Sequence, residues 1–241
     1  MTQDSPEPRR HPSESMLSTR WTQIGALQGK DANQAWQWFV ARYRPFVRGI
    51  LLGMLGRAEL AEPAADEFWG YVWMSGALQR ADRDRRFRAF LSGIVRNFAR
   101  SWSRDRKVNL AADAALDGLR APDDHTELEH WVGNVVVNAV TLLRAENPKT
   151  ADALCRFYGL TDSGGPDGSR GPMAAGEVAR AVGNTAQGVY MLLFRGRKRM
   201  RELIEAELRE GCRDDEAYRS ELQTLLGVTS SKLPGLLGDG S

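Results

Sequence analysis

The stretch FRAFLSGIVRNFARSWSR, residues Phe87–Arg104, indicates the fold class of the chain. Its large apolar side chains recur at the three- and four-residue spacing that places side chains on one face of a helix. These residues are Phe87, Phe90, Leu91, Ile94, Val95, Phe98 and Trp102. Arg96, Arg100 and Arg104 follow one another at four-residue intervals and form a ridge on another face. The stretch therefore predicts an amphipathic helix with one apolar and one basic side.

The basic side of this helix favours an anionic partner. Arginines four residues apart repel each other by roughly 0.2–0.5 kcal/mol per pair, so a ridge without interleaved glutamates suggests an external anion. Four more arginines lie just before the helix, at Arg83, Arg85, Arg86 and Arg88. The alternative interpretation is a solvated helix face, since Asp82, Asp84 and Asp105 supply some compensation.

A second stretch predicts a helix-turn-helix. A short helix is predicted at Ala175–Val182, a turn at Gly183, and a longer helix at Thr185–Glu207 with Thr185 as its N-cap. Glycine permits the left-handed conformation of the turn, and the capped end of the second helix then points at DNA. Five of the seven residues from Arg195 to Arg201 are basic. The alternative is an ordinary corner between two helices of a bundle.

Charge is segregated along the chain although its sum is small. The 241 residues carry 33 Lys+Arg and 31 Asp+Glu, a net charge of +2. Residues 80–107 contain ten basic and three acidic residues, whereas residues 108–130 contain one basic and six acidic residues. Two basic blocks separated by an acidic segment indicate two modules that contact the same polyanion.

The chain predicts an all-α protein with two helical domains joined by a flexible linker. It lacks runs of alternating β-branched residues and the Asn-Gly or Asp-Gly signals of hairpins. The predicted organisation is a disordered leader at 1–16, a first helical domain at 17–107, an acidic linker at 108–125, a helix-turn-helix (winged-helix-like) domain at 126–209 and a C-terminal extension at 210–241. Residues 161–172 predict a Gly- and Pro-rich loop, residues 214–227 a short amphipathic helix, and residues 229–241 a frayed tail.

Several classes of function are excluded by what the sequence lacks. Its two cysteines, Cys155 and Cys212, cannot support a disulfide scaffold or a multi-cysteine metal site. His125 and His130 stand five residues apart, which is not the spacing of a two-histidine zinc helix. No arrangement of catalytic groups stands out, and no apolar run reaches the roughly 18–20 residues that span a membrane. We therefore expect a cytoplasmic, non-enzymatic protein with no cofactor, no metal and no membrane partner.

The basic helix, together with DEFWGYVW at Asp66–Trp73, resembles the second conserved region of bacterial RNA polymerase sigma factors. The short extracytoplasmic-function (ECF) group of the sigma-70 family is the most similar. The positions that match are Phe87, Leu91, Ile94, Arg96, Asn97 and Arg104. GEVARAVGNTAQGVYMLLFRGRKRMREL, Gly176–Leu203, is similar to the fourth region of the same family. The two regions follow each other in the family's order.

The chain departs from the family pattern in both regions. Asp66 stands where the polymerase-binding helix usually carries Gln. Tyr190, Met191 and Leu192 occupy positions where Lys, Ser and Arg are common. The recognition helix therefore has few polar side chains at its reading end.

The resemblance implies that both regions bind promoter DNA. The second region would bind the downstream, minus-ten element and help to melt it. The residues implied there are Arg83, Arg85, Arg86, Arg88, Arg96, Asn97, Arg100 and Arg104. The fourth region would dock in the major groove of the upstream, minus-thirty-five element. The residues implied there are Thr185, Ala186, Gln187, Tyr190, Met191, Arg195, Lys198 and Arg199.

The resemblance also implies that RNA polymerase core is a partner, and it allows an anti-sigma factor as another. The polymerase-binding residues that it implies are Glu62, Asp66, Glu67, Trp69 and Tyr71. Helical spacing separately predicts that most tryptophans of the first domain, namely Trp36, Trp38, Trp69 and Trp73, lie in the core. The alternative function is a stand-alone helix-turn-helix regulator, although its N-terminal domain would have no need of an arginine ridge.

Overall fold

A computed structural model describes residues 20–82, 84, 86–109, 124–160 and 171–237 of the chain. These residues form nine α-helices and one short 3-10 helix, and none of them lies in a β-strand. The predicted all-α fold class is therefore confirmed. No helix within these ranges is long and apolar enough to cross a membrane.

The helices are numbered here in chain order. They are α1 (Arg20–Ala26), α2 (Ala32–Leu55), α3 (Ala58–Ser75), α4 (Phe87–Asn109), α5 (Asp124–Glu146), α6 (Pro148–Tyr158), α7 (Ala175–Ala181), α8 (Ala186–Glu210) and α9 (Asp215–Lys232). The 3-10 helix Ala77–Arg80 lies between α3 and α4.

Helix α2 is the central element of the first half. Its residues Phe39, Phe46 and Ile50 are fully buried, and it packs against α1, α3, α4 and α5. The helix ends at Gly56, whose φ of 69° is the left-handed conformation that glycine adopts at little cost. The short turn that follows lets α3 pack directly against α2.

Helix α4 buries the apolar face that its sequence predicts. Phe87, Leu91 and Val95 are buried, and Trp102 is buried near the far end of the helix. Three other residues of the predicted face are only half-buried because they lie at its edge. They are Phe90, Ile94 and Phe98.

Helices α5 to α8 form the second half, and α7, the turn and α8 form the predicted helix-turn-helix. Helix α6 is capped by Asn147, whose side chain accepts a hydrogen bond from the Thr150 backbone N–H at 3.0 Å. Helix α8 approaches α6 closely at Gly196, where an added Cβ would lie 2.9 Å from Cδ1 of Leu154. A glycine at this position therefore sets the distance between the two helices.

Parts of the predicted organisation fall outside the described residues. The leader at 1–16, most of the linker at 108–125 and most of the loop at 161–172 are among them. Helix α4 continues to Asn109 and α5 begins at Asp124. A winged helix would add strands after its recognition helix, and the described residues contain no strand that could form such a wing.

The two halves of the protein pack against each other. Trp131 of α5 contacts Phe46 and Tyr43 of α2, with ring centroids 5.2 and 6.4 Å apart. Beside this contact, the imidazole of His130 lies against Gly49 of α2. The sequence predicted two domains joined by a flexible linker, and it gave no sign that these aromatic side chains share one core.

A buried polar cluster crosses the same boundary. A guanidinium nitrogen of Arg42 on α2 lies 3.2 Å from Glu207 of α8, and Asn138 of α5 donates a hydrogen bond to that carboxyl group at 3.2 Å. Burial raises the pKa of Glu207, while the positive charges of Arg42 and Arg20 oppose the rise. Removing one partner would leave the other buried and unpaired, so a substitution of Arg42 or Glu207 alone should destabilise the fold.

The C-terminal extension is folded onto the rest of the chain. Helix α9 reaches Lys232, five residues beyond the predicted helix end, and packs against α5 and α8. Leu236 and Leu237 beyond it are buried, and Arg201 donates a hydrogen bond to the carbonyl of Leu237. The prediction of a frayed tail from residue 229 was therefore wrong as far as Leu237, because these leucines enter the core.

Candidate nucleic-acid interface

The first candidate surface is the basic side of α4 and the segment that leads into it. Asn97, Arg100 and Arg104 are exposed on this side, and Nη2 of Arg104 lies 3.4 Å from the Ser101 hydroxyl. Arg83 and Arg85 lie outside the described residues. Exposed guanidinium groups spaced one helical turn apart can contact successive phosphates of a nucleic-acid strand.

Two other arginines of this predicted set are held by the C-terminal extension. Glu221 of α9 lies 3.1 Å from Arg86 and 3.2 Å from Arg88, measured between guanidinium nitrogen and carboxylate oxygen. The Glu221 side chain is only 10% exposed. One carboxylate therefore bridges the two arginines in a poorly solvated position, where ion pairs are screened less than at the surface.

Arg96 is held by the second half of the protein in a similar way. Its guanidinium group pairs with the carboxylate of Glu127 on α5, which is 11% exposed. Arg96 is thus turned toward α5, while Arg100 and Arg104 farther along α4 remain exposed. The sequence spacing correctly places the three arginines on one ridge, but it does not show that the first one has an internal partner.

The predicted polymerase-binding residues of α3 are divided between surface and core. Glu62 pairs with Arg44 and Arg48 of α2, and Asp66 lies 2.7 Å from Arg44. Although partial burial raises the pKa of Glu62, hydrogen bonds from Arg48 and Arg44 bring it below its ordinary value. Both carboxylates lie at the surface, so they can exchange these partners for the cations of another protein.

Glu67 and Trp69 make contacts that hold the helices of the first half together. The Glu67 carboxylate accepts a hydrogen bond from the indole N–H of Trp102 at 2.7 Å, which ties α3 to α4. Trp69 is only 4% exposed and packs edge-on against Trp36 at 5.6 Å. The prediction that Trp69 contacts a partner is therefore corrected, because its ring is already buried in the core.

Helix α3 exposes three large apolar side chains near its end, and the sequence analysis missed part of this exposure. Tyr71, Trp73 and Met74 are 45%, 43% and 83% exposed. Only Tyr71 was predicted to be at the surface, and Trp73 was predicted to be in the core. Trp73 packs against Trp36 in an edge-type contact, with ring centroids 5.1 Å apart, but nearly half of its side chain stays exposed.

The second candidate surface is the helix-turn-helix. Gly183 has the predicted left-handed backbone, with a φ of 61°. The Thr185 hydroxyl accepts a hydrogen bond from the Gly188 backbone N–H at 3.0 Å, so Thr185 is the N-cap of α8. Lys149 of α6 approaches this turn, with its amine 3.4 Å from the Gly183 carbonyl oxygen. The turn therefore carries positive charge next to the capped end of α8.

The exposed face of α8 is apolar near its start and basic farther on. Ala186 and Gln187 are exposed in the first turn. Tyr190, Met191 and Phe194 follow and are 60%, 50% and 57% exposed. Arg195 and Lys198 are also exposed. Phe194 was not among the predicted contact residues, although its four-residue spacing from Tyr190 places it on the same side.

Arg199 lies beside this face and has internal partners. Its guanidinium group donates to both oxygens of Glu146 at 2.8 and 2.7 Å, and to Glu202 at 2.8 Å. These hydrogen bonds raise the pKa of Arg199. A paired, half-buried arginine is less suited to a phosphate contact than the exposed Arg195 and Lys198.

One comparison with known proteins finds a match, in the part of the chain that carries the first surface. Residues 39–108 match the family model described as Sigma-70 region 2, which spans α2 from Phe39 through α3 and nearly all of α4. This match covers under a third of the chain and supports a sigma-70 family sigma factor. No curated protein and no solved structure matches the chain.

Proposed function

We propose that the protein is a sigma factor of the ECF group, which binds RNA polymerase core and directs transcription initiation at promoters. The observation that carries the proposal is the Sigma-70 region 2 match over residues 39–108, which contains the exposed Arg100 and Arg104 of α4. A helix-turn-helix later in the chain supports it, because this candidate DNA-binding module follows the first in the order of the regions that the sequence resembles.

In this proposal, α4 and the segment before it bind the downstream element. Asn97, Arg100 and Arg104 would contact the DNA from the exposed side of the helix. Arg83, Arg85, Arg86 and Arg88 would surround an unstacked base, since strand capture needs cations for phosphates and stacking surfaces for bases. Arg86 and Arg88 would have to leave Glu221 to do so, and Arg96 would have to leave Glu127.

Helix α8 would read the upstream element. Its capped N-terminus and the residues from Thr185 to Met191 would enter the major groove, while Arg195 and Lys198 would contact phosphates. No bond is made or broken by the chain in this scheme. Its contribution is binding energy that selects the promoter and favours the melted strand.

Helix α3 would bind polymerase core. Glu62 and Asp66 offer surface carboxylates to a basic partner, and the exposed side chains of Tyr71 and Met74 offer apolar area farther along the helix. An anti-sigma factor that covered α3 or α8 would compete with polymerase or with DNA. The site of action would be the cytoplasm, where the bacterial chromosome and polymerase are found.

The proposal is tested by mixing the purified protein with bacterial RNA polymerase core. We expect co-elution in gel filtration, and transcripts with defined starts from some genomic fragments that core alone does not produce. Permanganate should detect unpaired thymines upstream of those starts. Nanomolar binding of promoter DNA by the free protein, without association with core, would instead support a stand-alone regulator.

A further inference from the structure

We infer that the exposed face of α8 recognises an A·T-rich segment of the major groove through thymine methyl groups. The inference rests on the proposed function, because it specifies the bases that the upstream-binding helix would read. Tyr190 and Met191 are the residues that we assign to methyl contact, with Phe194 next to them. Gln187 precedes them on the same face.

The starting observation is that this helix presents apolar side chains where a DNA-reading helix usually presents polar ones. Six large hydrophobic side chains are exposed among the described residues, and three of them are Tyr190, Met191 and Phe194. The helix buries Val189, Leu193 and Gly196 on its opposite side. The exposed residues are therefore not part of the core of the helix-turn-helix.

Helical geometry groups these side chains with polar and basic ones. At 3.6 residues per turn, Gln187, Met191, Phe194 and Lys198 project within about 60° of one another. The face therefore runs from an amide in the first turn, through apolar residues in the second, to cations in the third. Arg195 flanks the basic end, and Lys149 lies at the turn before the helix.

Few chemical groups on the edges of base pairs can make favourable contacts with the apolar residues of this α8 face. The C5-methyl of thymine is the apolar group that unmodified DNA displays in the major groove. On the adenine edge, N7 accepts a hydrogen bond from a glutamine amide and the N6 amino group donates one to it. Gln187 can thus read adenine while Met191 and Tyr190 contact thymine methyls. Methionine is suited to this contact because its flexible, polarizable side chain adapts to the groove.

The charges around the face favour DNA over a protein as its occupant. Lys149 lies at the turn before the apolar residues, Arg195 and Lys198 lie at the far end of them, and the exposed face of α8 carries no carboxylate before Glu202. Cations at both ends of a strip of apolar residues match a groove whose walls are phosphates and whose floor carries methyl groups. A protein partner for this face would need an acidic rim around an apolar centre.

The test uses the complete protein bound to RNA polymerase core. The probe is the genomic fragment that gives most transcript in the initiation assay, rebuilt as synthetic duplexes with deoxyuridine in place of thymidine in the upstream element only. Deoxyuridine pairs like thymidine but lacks the methyl group. We expect the substitution to lower affinity about fourfold per contacted methyl, which is the effect of exposing one buried methyl-sized group.

Two variants separate methyl recognition from general binding. Tyr190→Ala with Met191→Ala should bind the thymidine and deoxyuridine duplexes equally, because the side chains that distinguish them are gone. Arg195→Ala is the control: it should weaken both duplexes while preserving their ratio. All three residues are exposed, so the variants should keep the thermal unfolding midpoint of the wild type.

The possible results distinguish this inference from the proposed function. If the wild-type complex transcribes the fragment but binds both duplexes equally, methyl recognition is wrong and the sigma-factor proposal stands. If no fragment is transcribed, the proposed function fails first. If the double variant loses association with core polymerase instead of base discrimination, the face is a protein-docking surface and the inference is overturned.

Discussion

Gly49 is a residue at which the two halves of the protein approach closely. A Cβ at this position would lie 2.5 Å from Cγ of His130, which is closer than side chains pack without displacement. We expect Gly49→Ala to lower the free energy of unfolding by about 1–3 kcal/mol, because the ring or the helix must move. Chemical denaturation measures the change.

Gly53, one turn later on α2, is the matched control. An added Cβ there would meet nothing within 4 Å. Gly53→Ala should therefore raise the free energy of unfolding by about 0.5–1 kcal/mol, since alanine restricts the unfolded chain. Equal effects of the two substitutions would show that α5 does not pack on α2 as described.

His130 makes the same contact sensitive to pH. Burial lowers its pKa, and Lys232 and Arg48 add to this effect, whereas Glu129 and Glu127 oppose it. A histidine whose pKa is lower in the folded than in the unfolded state binds its proton more readily when unfolded. The folded state is therefore favoured above pH 6.5 and loses this advantage as the pH falls.

We expect the free energy of unfolding to decrease less between pH 7.5 and pH 5.5 in His130→Gln than in the wild type. The amide cannot take up a proton, so the linkage through this residue is removed. Gly53→Ala is the control, because it neither adds nor removes a titratable group and should keep the pH dependence of the wild type. The measurement is urea denaturation at each pH.

At the scale of single helices, α4 separates a structural face from a functional one. Leu91 is fully buried, so Leu91→Ala should lower the free energy of unfolding by about 2–5 kcal/mol. Arg100→Ala with Arg104→Ala should change it by no more than about 0.5 kcal/mol, because both side chains are exposed. The same double variant should bind polymerase core normally, since α3 is a separate element.

The functional part of this prediction is a loss of promoter melting. Arg100→Ala with Arg104→Ala should reduce the permanganate reactivity of thymines in the melted region, because two phosphate contacts are removed. Arg57→Ala with Arg219→Ala removes two exposed arginines elsewhere and should melt the promoter normally. Normal melting by both variants would identify the ridge as a solvated helix face.

The basic residues of helix α8 should make DNA affinity depend on salt concentration, independently of which bases the helix prefers. Arg195→Ala and Lys198→Ala should each reduce the slope of log affinity against log salt concentration by about one, through loss of a phosphate contact. Tyr190→Ala should leave that slope unchanged because tyrosine releases no counterion. Titrations of the polymerase complex at several salt concentrations provide the comparison.

The helices themselves could be predicted because their signals are local. Thr185 caps α8 through the Gly188 N–H three residues away, and Gly183 adopts the turn conformation that its position suggests. The partners of the arginines could not be predicted in this way. Arg96 pairs with Glu127 and Arg88 with Glu221, which are 31 and 133 residues away along the chain. Such pairs form only when whole helices pack together, and no single stretch of the sequence indicates which helices will do so.

At the scale of the whole molecule, the packed halves and the DNA compete for the same arginines. Glu221 bridges Arg86 and Arg88, and Glu127 pairs with Arg96, so three proposed DNA contacts already have carboxylate partners within the protein. With a net charge of only +2, the free protein has little further attraction for a polyanion. We therefore expect weak binding of promoter DNA by the free protein, and stronger binding once polymerase tethers both modules.

Glu221→Gln tests this competition directly. The amide keeps the shape of the side chain but removes the charge that holds Arg86 and Arg88, so the free protein should bind DNA more tightly and with a steeper salt dependence. Asp215→Asn is the control on the same helix, because Asp215 pairs with Arg209, outside the proposed DNA surface. Fluorescence anisotropy with a labelled promoter duplex measures both. Equal affinities of Glu221→Gln, Asp215→Asn and the wild type would mean that Arg86 and Arg88 reach DNA without leaving Glu221, or do not reach it at all.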